Sequence, residues 1–177
     1  MIVIVGASAS GKTEIAKILI NKYGYHKCVT TTTRPPRIGE VDGVDYHFLS
    51  REDFLSKVKE KAFVEVTNYQ NNFYGIQRKD ITPGAIVIVD PNGANKLVLQ
   101  LGSEVYLVLV ESSREDRKRR MLNRGDQLDL VIKRLESDDE VFNKDKLLRV
   151  DLYINNCTQT LEELAGIIHN NYQNNFK

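Results

Sequence analysis

The sequence predicts an α/β fold in which helices cover a parallel sheet, and three observations carry that prediction. Short β-branched runs stand at Ile2 to Val5, Ala85 to Val89 and Tyr106 to Val110, each closing at turn or polar residues, as strands buried on both faces do. Each run is followed by helical spacing: Ile15, Ala16, Ile18 and Leu19 after the first, Leu97 and Leu101 after the second, and the charged stretch Arg114 to Leu122 after the third. The resulting βαβα order favours a parallel sheet.

Taken in order, the first helical pattern halts near Gly24. From there the character changes: Thr30 to Thr33, Pro35-Pro36 and Gly39 to Gly43 are polar and turn-rich, the mark of an inserted lobe. Inside it, Ser50-Arg51-Glu52-Asp53 resembles a capping box that opens a helix with Phe54, Leu55 and Val58 on one face. Pro83-Gly84 marks the return to the core. Arg119 to Asp145 is dense in charge and poor in strand formers, so it reads as a second, helical excursion. Thr160-Leu161-Glu162-Glu163 caps a last helix with Leu161, Leu164, Ala165 and Ile168 facing inward. One domain over 1–177 results, with a core of about 1–29, 82–118 and 146–177, a lobe of about 30–81 and a lid of about 119–145.

Composition narrows the function. Lys plus Arg number 25 against 24 Asp plus Glu, so no overall field draws the chain to nucleic acid or to an anionic membrane. The basic run Arg117 to Arg120 is flanked by Glu115, Asp116 and Asp126 and lacks interleaved aromatics, which argues against a nucleic-acid face. Arg117, Arg120 and Arg124 fall at helical spacings of three and four, so one face is expected to point inward while Lys118 and Arg119 are solvated. No apolar run approaches the roughly 20 residues that cross a bilayer, and the start shows no signal-peptide pattern. Cys28 and Cys157 lack metal-ligand spacing and read as structural residues in a reducing compartment. A cytoplasmic protein, monomeric or homodimeric, is expected. His26, His47 and His169 are isolated and receive no chemistry.

The motif with most chemistry is Gly6-Ala7-Ser8-Ala9-Ser10-Gly11-Lys12-Thr13, a Walker A pattern set between a buried strand and a helix. It predicts a P-loop NTPase fold. Backbone N–H groups and the helix N-terminus surround phosphates, Lys12 reaches the β and γ oxygens of ATP or GTP, and the Thr13 hydroxyl ligates Mg²⁺.

A longer pattern follows. Thr30 to Arg34, Pro35-Pro36-Arg37-Ile38-Gly39-Glu40 and Val41 to Phe48 resemble the S-x-T-T-R-x-P-R-x-G-E-x-x-G-x-D-Y-x-F segment of guanylate kinases. The resemblance runs on in order through Phe63-Val64-Glu65, Phe73-Tyr74-Gly75, Asp90 to Ala94, Arg120 to Gly125, Lys133-Arg134-Leu135 and Tyr153 to Asn156. It implies ATP-dependent phosphorylation of GMP, with dGMP a second substrate. It also implies roles. Arg34, Arg37, Tyr46 and Tyr74 hold the GMP phosphate, Thr30 and Glu65 read guanine, and Asp90 joins the substrate-binding set. Lys12, Arg120, Arg124 and Arg134 act on the transferring phosphoryl, and Asn155 lies on the adenine side.

The chain departs from the family pattern at four places. Ile76 stands where the family carries a hydroxyl after the Tyr-Gly pair, and Gln77 follows it. Ile88 replaces the first acid of D-x-D, leaving Asp90. Ala7 replaces a proline, and Asp138-Asp139-Glu140 replaces an alanine-rich helix. Two other readings compete: a kinase of a sugar phosphate such as ribose bisphosphate, and a non-catalytic guanylate-kinase-like binding module. The intact loop at Gly6, Gly11, Lys12 and Thr13 speaks against the second.

Overall fold

The computed structural model describes residues 1–69 and 71–175. Strand β1 (Ile2–Val5) is buried throughout and runs into the glycine loop that opens helix α1 (Lys12–Tyr23). Gly24, at φ 74°, ends that helix in the left-handed conformation favoured by glycine. A two-residue strand β2 (His26–Lys27) follows.

The chain then leaves the core. Strands β3 (Thr31–Thr32) and β4 (His47–Phe48), helix α2 (Arg51–Lys59), and the longer strands β5 (Phe63–Tyr69) and β6 (Asn72–Gln77) build a four-stranded sheet of order β4-β3-β6-β5. Ser50 caps α2 by accepting the Asp53 N–H at 3.0 Å. Of the three apolar residues expected on the inner face of α2, only Phe54 is buried. It stacks on Phe63 and Phe73, whereas Leu55 and Val58 are exposed. Nine residues laid on a small sheet present one narrow stripe, and Phe54 fills it.

The core resumes with β7 (Ala85–Ile88), α3 (Pro91–Leu101), β8 (Tyr106–Glu111) and α4 (Arg114–Asn123). Asp90 caps α3 by accepting the Gly93 N–H at 2.7 Å, with Pro91 at the first helical position. Helix α5 (Leu128–Val141) packs against α4. Strand β9 (Leu152–Asn155) and helix α6 (Leu161–Asn175) complete the chain. The Thr160 and Glu163 pair forms a reciprocal capping box at the start of α6. Leu164, Ala165 and Ile168 of that helix are buried, while Leu161 packs at the edge.

The main sheet has the order β2-β7-β1-β8-β9, and every pairing in it is parallel. Alternation along β1 divides two cores. Ile2 and Ile4 pack with α1 and α6, while Met1, Val3 and Val5 pack with α3 on the other face. With both faces covered, the ends of the strands are left to carry the site.

Candidate functional site: a phosphate loop between two cavities

The loop from Gly6 to Thr13 joins the buried end of β1 to α1. Gly6 has φ 154° and Gly11 has φ 102°. A β-carbon on Gly6 would drive into the Val110 carbonyl oxygen, and one on Gly11 into Asn156 Nδ2. Both positions therefore require glycine for space as well as for backbone angle. Gly11 provides no side-chain cap, so the first N–H groups of α1 remain for an anion.

Lys12 folds back over this loop. Its ammonium donates to Ala7 O at 2.5 Å and Ser10 Oγ at 3.4 Å and lies 5.8 Å from the centre of the Phe142 ring. Burial lowers its pKa to about 8, the Asp138 carboxylate opposing and Arg117 and Arg134 adding to the fall. Thr13 is exposed at the first turn and lines a cleft of about 410 Å³ with Lys17, Thr30, Tyr46 and Ile88.

Helices α4 and α5 reach the loop with charged side chains. Arg120 donates to Ala9 O, Ser112 Oγ and Asn156 O, each at 3.1 Å, so its guanidinium braces the loop from below. Arg134 Nε donates to Ser8 Oγ at 2.9 Å. Arg124 is different: it is exposed, and Asp126 holds its Nε at 2.8 Å and Nη2 at 2.5 Å. The expected inward arginine face of α4 therefore comprises Arg117 and Arg120, because Arg124 sits where the helix has already ended.

Four residues that touch the site received no role in it from sequence, Arg117 being read there only as part of an inward helix face. Asn156, buried beside Asn155, donates Nδ2 to Ser10 O at 2.8 Å and ties the end of β9 to the loop. Asp138, 7% exposed, accepts the Ser8 N–H at 2.7 Å and thus holds a carboxylate on the phosphate loop. Arg117, 5% exposed, donates Nη2 to Asp139 at 2.6 Å and brings Nη1 within 3.5 Å of Asp138. The fourth, Thr67, donates its hydroxyl to Glu65 Oε1. A signal for Asp138 was present: Val131, Leu135 and Asp138 fall at i, i+4 and i+7 of one helix face, so an acid continues an apolar stripe.

Two cavities flank the loop. One of about 640 Å³ is lined by Gly6, Ala7, Ser112, Arg117, Asp138 and Asn155, among others. Asn155 is exposed there, and its Oδ1 accepts the Cys157 thiol at 2.9 Å. Cys157 is thus exposed and lines this cavity, contrary to a structural reading, since it follows the strand end. Cys28 is buried, and burial pushes its thiol up to about 12.

The other cavity, about 270 Å³, lies against the second sheet. Thr30, Tyr46, Glu65, Tyr74 and Asp90 line it. Glu65 is 7% exposed, with Lys96 Nζ 3.5 Å from Oε1. Ile76 and Ile88 contribute to its apolar wall, and Ile88 is 38% exposed. Thr30, Tyr46 and Ile88 line both this cavity and the cleft at Thr13, so the two adjoin.

Above them stands Arg34, whose Nη2 donates to both Glu40 oxygens at 2.8 and 2.9 Å and whose guanidinium lies 5.4 Å from the Tyr46 ring centre. Hydrogen bonding to Glu40 holds Arg34 above its ordinary range, with the Tyr74 phenol contributing. Arg37 is exposed, and its backbone N–H donates to Glu40 at 2.7 Å. The structure thus brings Arg34, Tyr46 and Tyr74 together and leaves the Arg37 side chain in solvent.

A glycine loop between a buried parallel strand and an uncapped helix, at the ends of a five-stranded parallel sheet, defines a P-loop NTPase fold. The family model described as guanylate kinase matches residues 1–170, and the chain belongs to the guanylate kinase family. A guanylate kinase from Clostridium perfringens (strain SM101 / Type A) is 35% identical over 134 residues, 72% of this chain and 62% of that protein. Thus the chain spans less than two thirds of that relative's length. One from Caldanaerobacter subterraneus subsp. tengcongensis is 32% identical over 176 residues, covering 95% of this chain and 85% of that protein. The crystal structure of guanylate kinase from Anaplasma phagocytophilum superposes with a TM-score of 0.64 over 100% of this chain and 87% of that chain; at 24% identity this is a likeness of fold.

Proposed function

We propose that the chain is a nucleoside monophosphate kinase that transfers the γ-phosphoryl of ATP to GMP, and to dGMP, giving ADP and GDP or dGDP in the cytoplasm. The carrying observation is the buried Glu65 carboxylate in a cavity that shares Thr30, Tyr46 and Ile88 with the cleft at Thr13. Guanine presents N1–H and an amino group side by side, and one carboxylate accepts both. A sugar phosphate can offer a pair of hydroxyl donors, but it has no planar base to lie along the apolar wall of Ile76 and Ile88 while Glu65 is engaged.

On this reading the 640 Å³ cavity takes the donor nucleotide, with Asn155 near the adenine. Lys12, the N–H groups of the loop, Arg120 and Arg134 surround its phosphates, and Arg124 exchanges Asp126 for the phosphoryl when the lid closes. Arg34, Arg37, Tyr46 and Tyr74 hold the acceptor phosphate. The chemistry needs no side-chain nucleophile, because positioning and charge neutralisation carry phosphoryl transfer.

Among the described residues no cluster of three His, Cys, Asp or Glu forms a ready metal site. The donors present fit Mg²⁺ held chiefly by phosphates and water, as that ion prefers, with the Thr13 hydroxyl as protein ligand and Asp90 beyond it. Bound there, the ion would neutralise charge on the β and γ phosphates.

The test is product identity in a single turnover. With γ-labelled ATP and GMP, label is expected to appear in GDP, and Lys12→Ala is expected to remove it while the far-ultraviolet spectrum is unchanged. Label released only as inorganic phosphate, or an active Lys12→Ala protein, would refute the assignment.

A further inference from the structure

The 270 Å³ cavity contains a hydroxyl to which the family resemblance gives no role. Strands β5 and β6 pair with Glu65 opposite Ile76 and Thr67 opposite Tyr74. Because side chains alternate along a strand, these four share one face, and all four line the cavity. On the other face, Gln77 is buried and spends its amide on Thr31 Oγ1 at 2.6 Å, so it offers nothing to a ligand in the cavity.

Guanine presents three groups in a row: the amino group at C2, N1–H, and the acceptor O6. Glu65 satisfies the first two. The third needs a donor on the far side of N1–H; Ile76, a hydrocarbon 1% exposed, supplies none, and of the threonine hydroxyls that line the cavity, Thr30 and Thr67, it is Thr67 that stands on a Glu65 oxygen. Asp90 is an acceptor already engaged by the Gly93 N–H. Thr67 carries a hydroxyl beside the carboxylate, two residues along the same strand face, and gives its proton to Glu65 Oε1. Carboxylate followed by hydroxyl reads acceptor, acceptor, donor, the complement of the guanine edge.

We propose that Thr67 is a specificity-determining residue that reads O6 of guanine in place of the hydroxyl absent at Ile76. A threonine hydroxyl has one proton and can accept others. In the free protein that proton goes to Glu65 Oε1. When N1–H of guanine takes Oε1, the hydroxyl turns to O6, and the Glu65 oxygen loses no partner in the exchange. Lys96, which donates to Val66 O at 2.7 Å and stands 3.5 Å from the same Oε1, stays on the strand's edge as an ion-pair partner.

This inference rests on the reading of the acceptor as a guanine nucleotide, and the test separates the two. kcat/KM is measured for GMP, for 6-thioguanosine 5′-monophosphate, which keeps the amino group and N1–H but carries a weakly accepting sulfur in place of O6, and for ribose bisphosphate. The proteins are wild type, Thr67→Val, Thr67→Ser, Lys96→Met and the double variant Thr67→Val with Ile76→Ser. Valine keeps the shape and strand preference of threonine, so the variant retains the sheet.

Thr67→Val is expected to lower GMP use about 5- to 10-fold, the worth of one neutral hydrogen bond, and to leave use of the 6-thioguanine nucleotide within about two-fold. Thr67→Ser is expected to keep wild-type use, and Ile76→Ser to recover part of the loss. An equal fall for both nucleotides would mean that Thr67 acts only by holding Glu65, and would overturn the inference. So would unchanged GMP use in Thr67→Val, or the same selective loss arising from Lys96→Met. A wild-type protein that prefers ribose bisphosphate to GMP would instead strike the functional reading itself.

Discussion

Lys12 sits where burial and neighbouring charge oppose one another. Burial lowers its pKa to about 8 from the usual 10.5, and bound phosphates, as near anions, push it back up. The sign of the pH effect follows. Below pH 8 the ammonium is already charged and ATP binding takes up no proton through it. Between about pH 8 and the raised value in the complex, binding takes up a proton and weakens as pH rises. Calorimetry at pH 8.5 in buffers of different ionisation enthalpy is expected to show this uptake, little of it at pH 6.5, and none attributable to this site in Lys12→Met. Uptake that is equal in wild type and Lys12→Met at pH 8.5 would contradict the assignment. In folding the same depression has its own sign. Between pH 8 and 10.5 the unfolded chain holds the proton that the folded chain has released, so this group's contribution to stability rises with pH there.

Much of the site was legible residue by residue because its constraints are local. Gly6, Gly11, Lys12 and Thr13 are fixed by a loop of eight residues, and the loop demands them wherever it occurs. Asn156 and Thr67 were not legible, because what matters about each is a partner 146 residues away or a face of a hairpin. The spacing that placed Arg124 with Arg117 and Arg120 failed because the helix ends at Asn123.

At the level of elements, α5 lays an acid on the phosphate loop. Asp138 accepts the Ser8 N–H at 2.7 Å, in the ring of donors a phosphate oxygen would use, and its charge repels the same ligand. Asp138→Ala is therefore expected to tighten ATP binding, by about 10-fold or more given the usual worth of a hydrogen bond to a charged group. Equilibrium binding checks this, and weaker binding in the variant would show that Asp138 assists the nucleotide. Stability responds separately. Arg117→Leu leaves Asp138 buried without its cation and is expected to cost about 3 kcal/mol or more. Adding Asp138→Ala to it is expected to return much of that loss in a denaturant titration. Additive losses would mean that the two side chains do not interact.

The elements that sequence placed well are those with uniform burial. β1, β7 and β8 are apolar along their length, so the runs Ile2 to Val5, Ala85 to Val89 and Tyr106 to Val110 lie within one residue of the observed strands. The second sheet was hidden for two physical reasons. Strands β3 and β4 have two residues each, too short for any period to register. Strands β5 and β6 put polar Glu65, Thr67 and Tyr74 toward a cavity, which erases the alternation a half-buried strand normally shows.

For the whole molecule, the second sheet and the α4–α5 pair are two excursions from one parallel core, and the 410 Å³ cleft separates the first of them from α1. Binding both nucleotides is expected to draw the excursions together over the phosphoryl and exclude water from it. Spin labels on exposed Lys59 of α2 and Lys133 of α5 are expected to shorten their distance distribution with ADP and GMP together, and less with either alone. An unchanged distribution would remove closure from the mechanism. Hydrolysis of ATP without an acceptor is expected to be slow for the same reason.

Whether this core serves a guanine nucleotide as phosphoryl acceptor is read most directly in a coupled ATP assay across GMP, dGMP, AMP, CMP, UMP and ribose bisphosphate. Sites built around buried hydrogen-bond donors or acceptors can reject ligands lacking the complement by about 10⁴-fold. Turnover is expected with GMP and dGMP, with kcat/KM for AMP lower by several orders of magnitude and that preference lost in Glu65→Leu. Comparable use of AMP by the wild-type protein, or fastest turnover with ribose bisphosphate, would contradict a guanine acceptor.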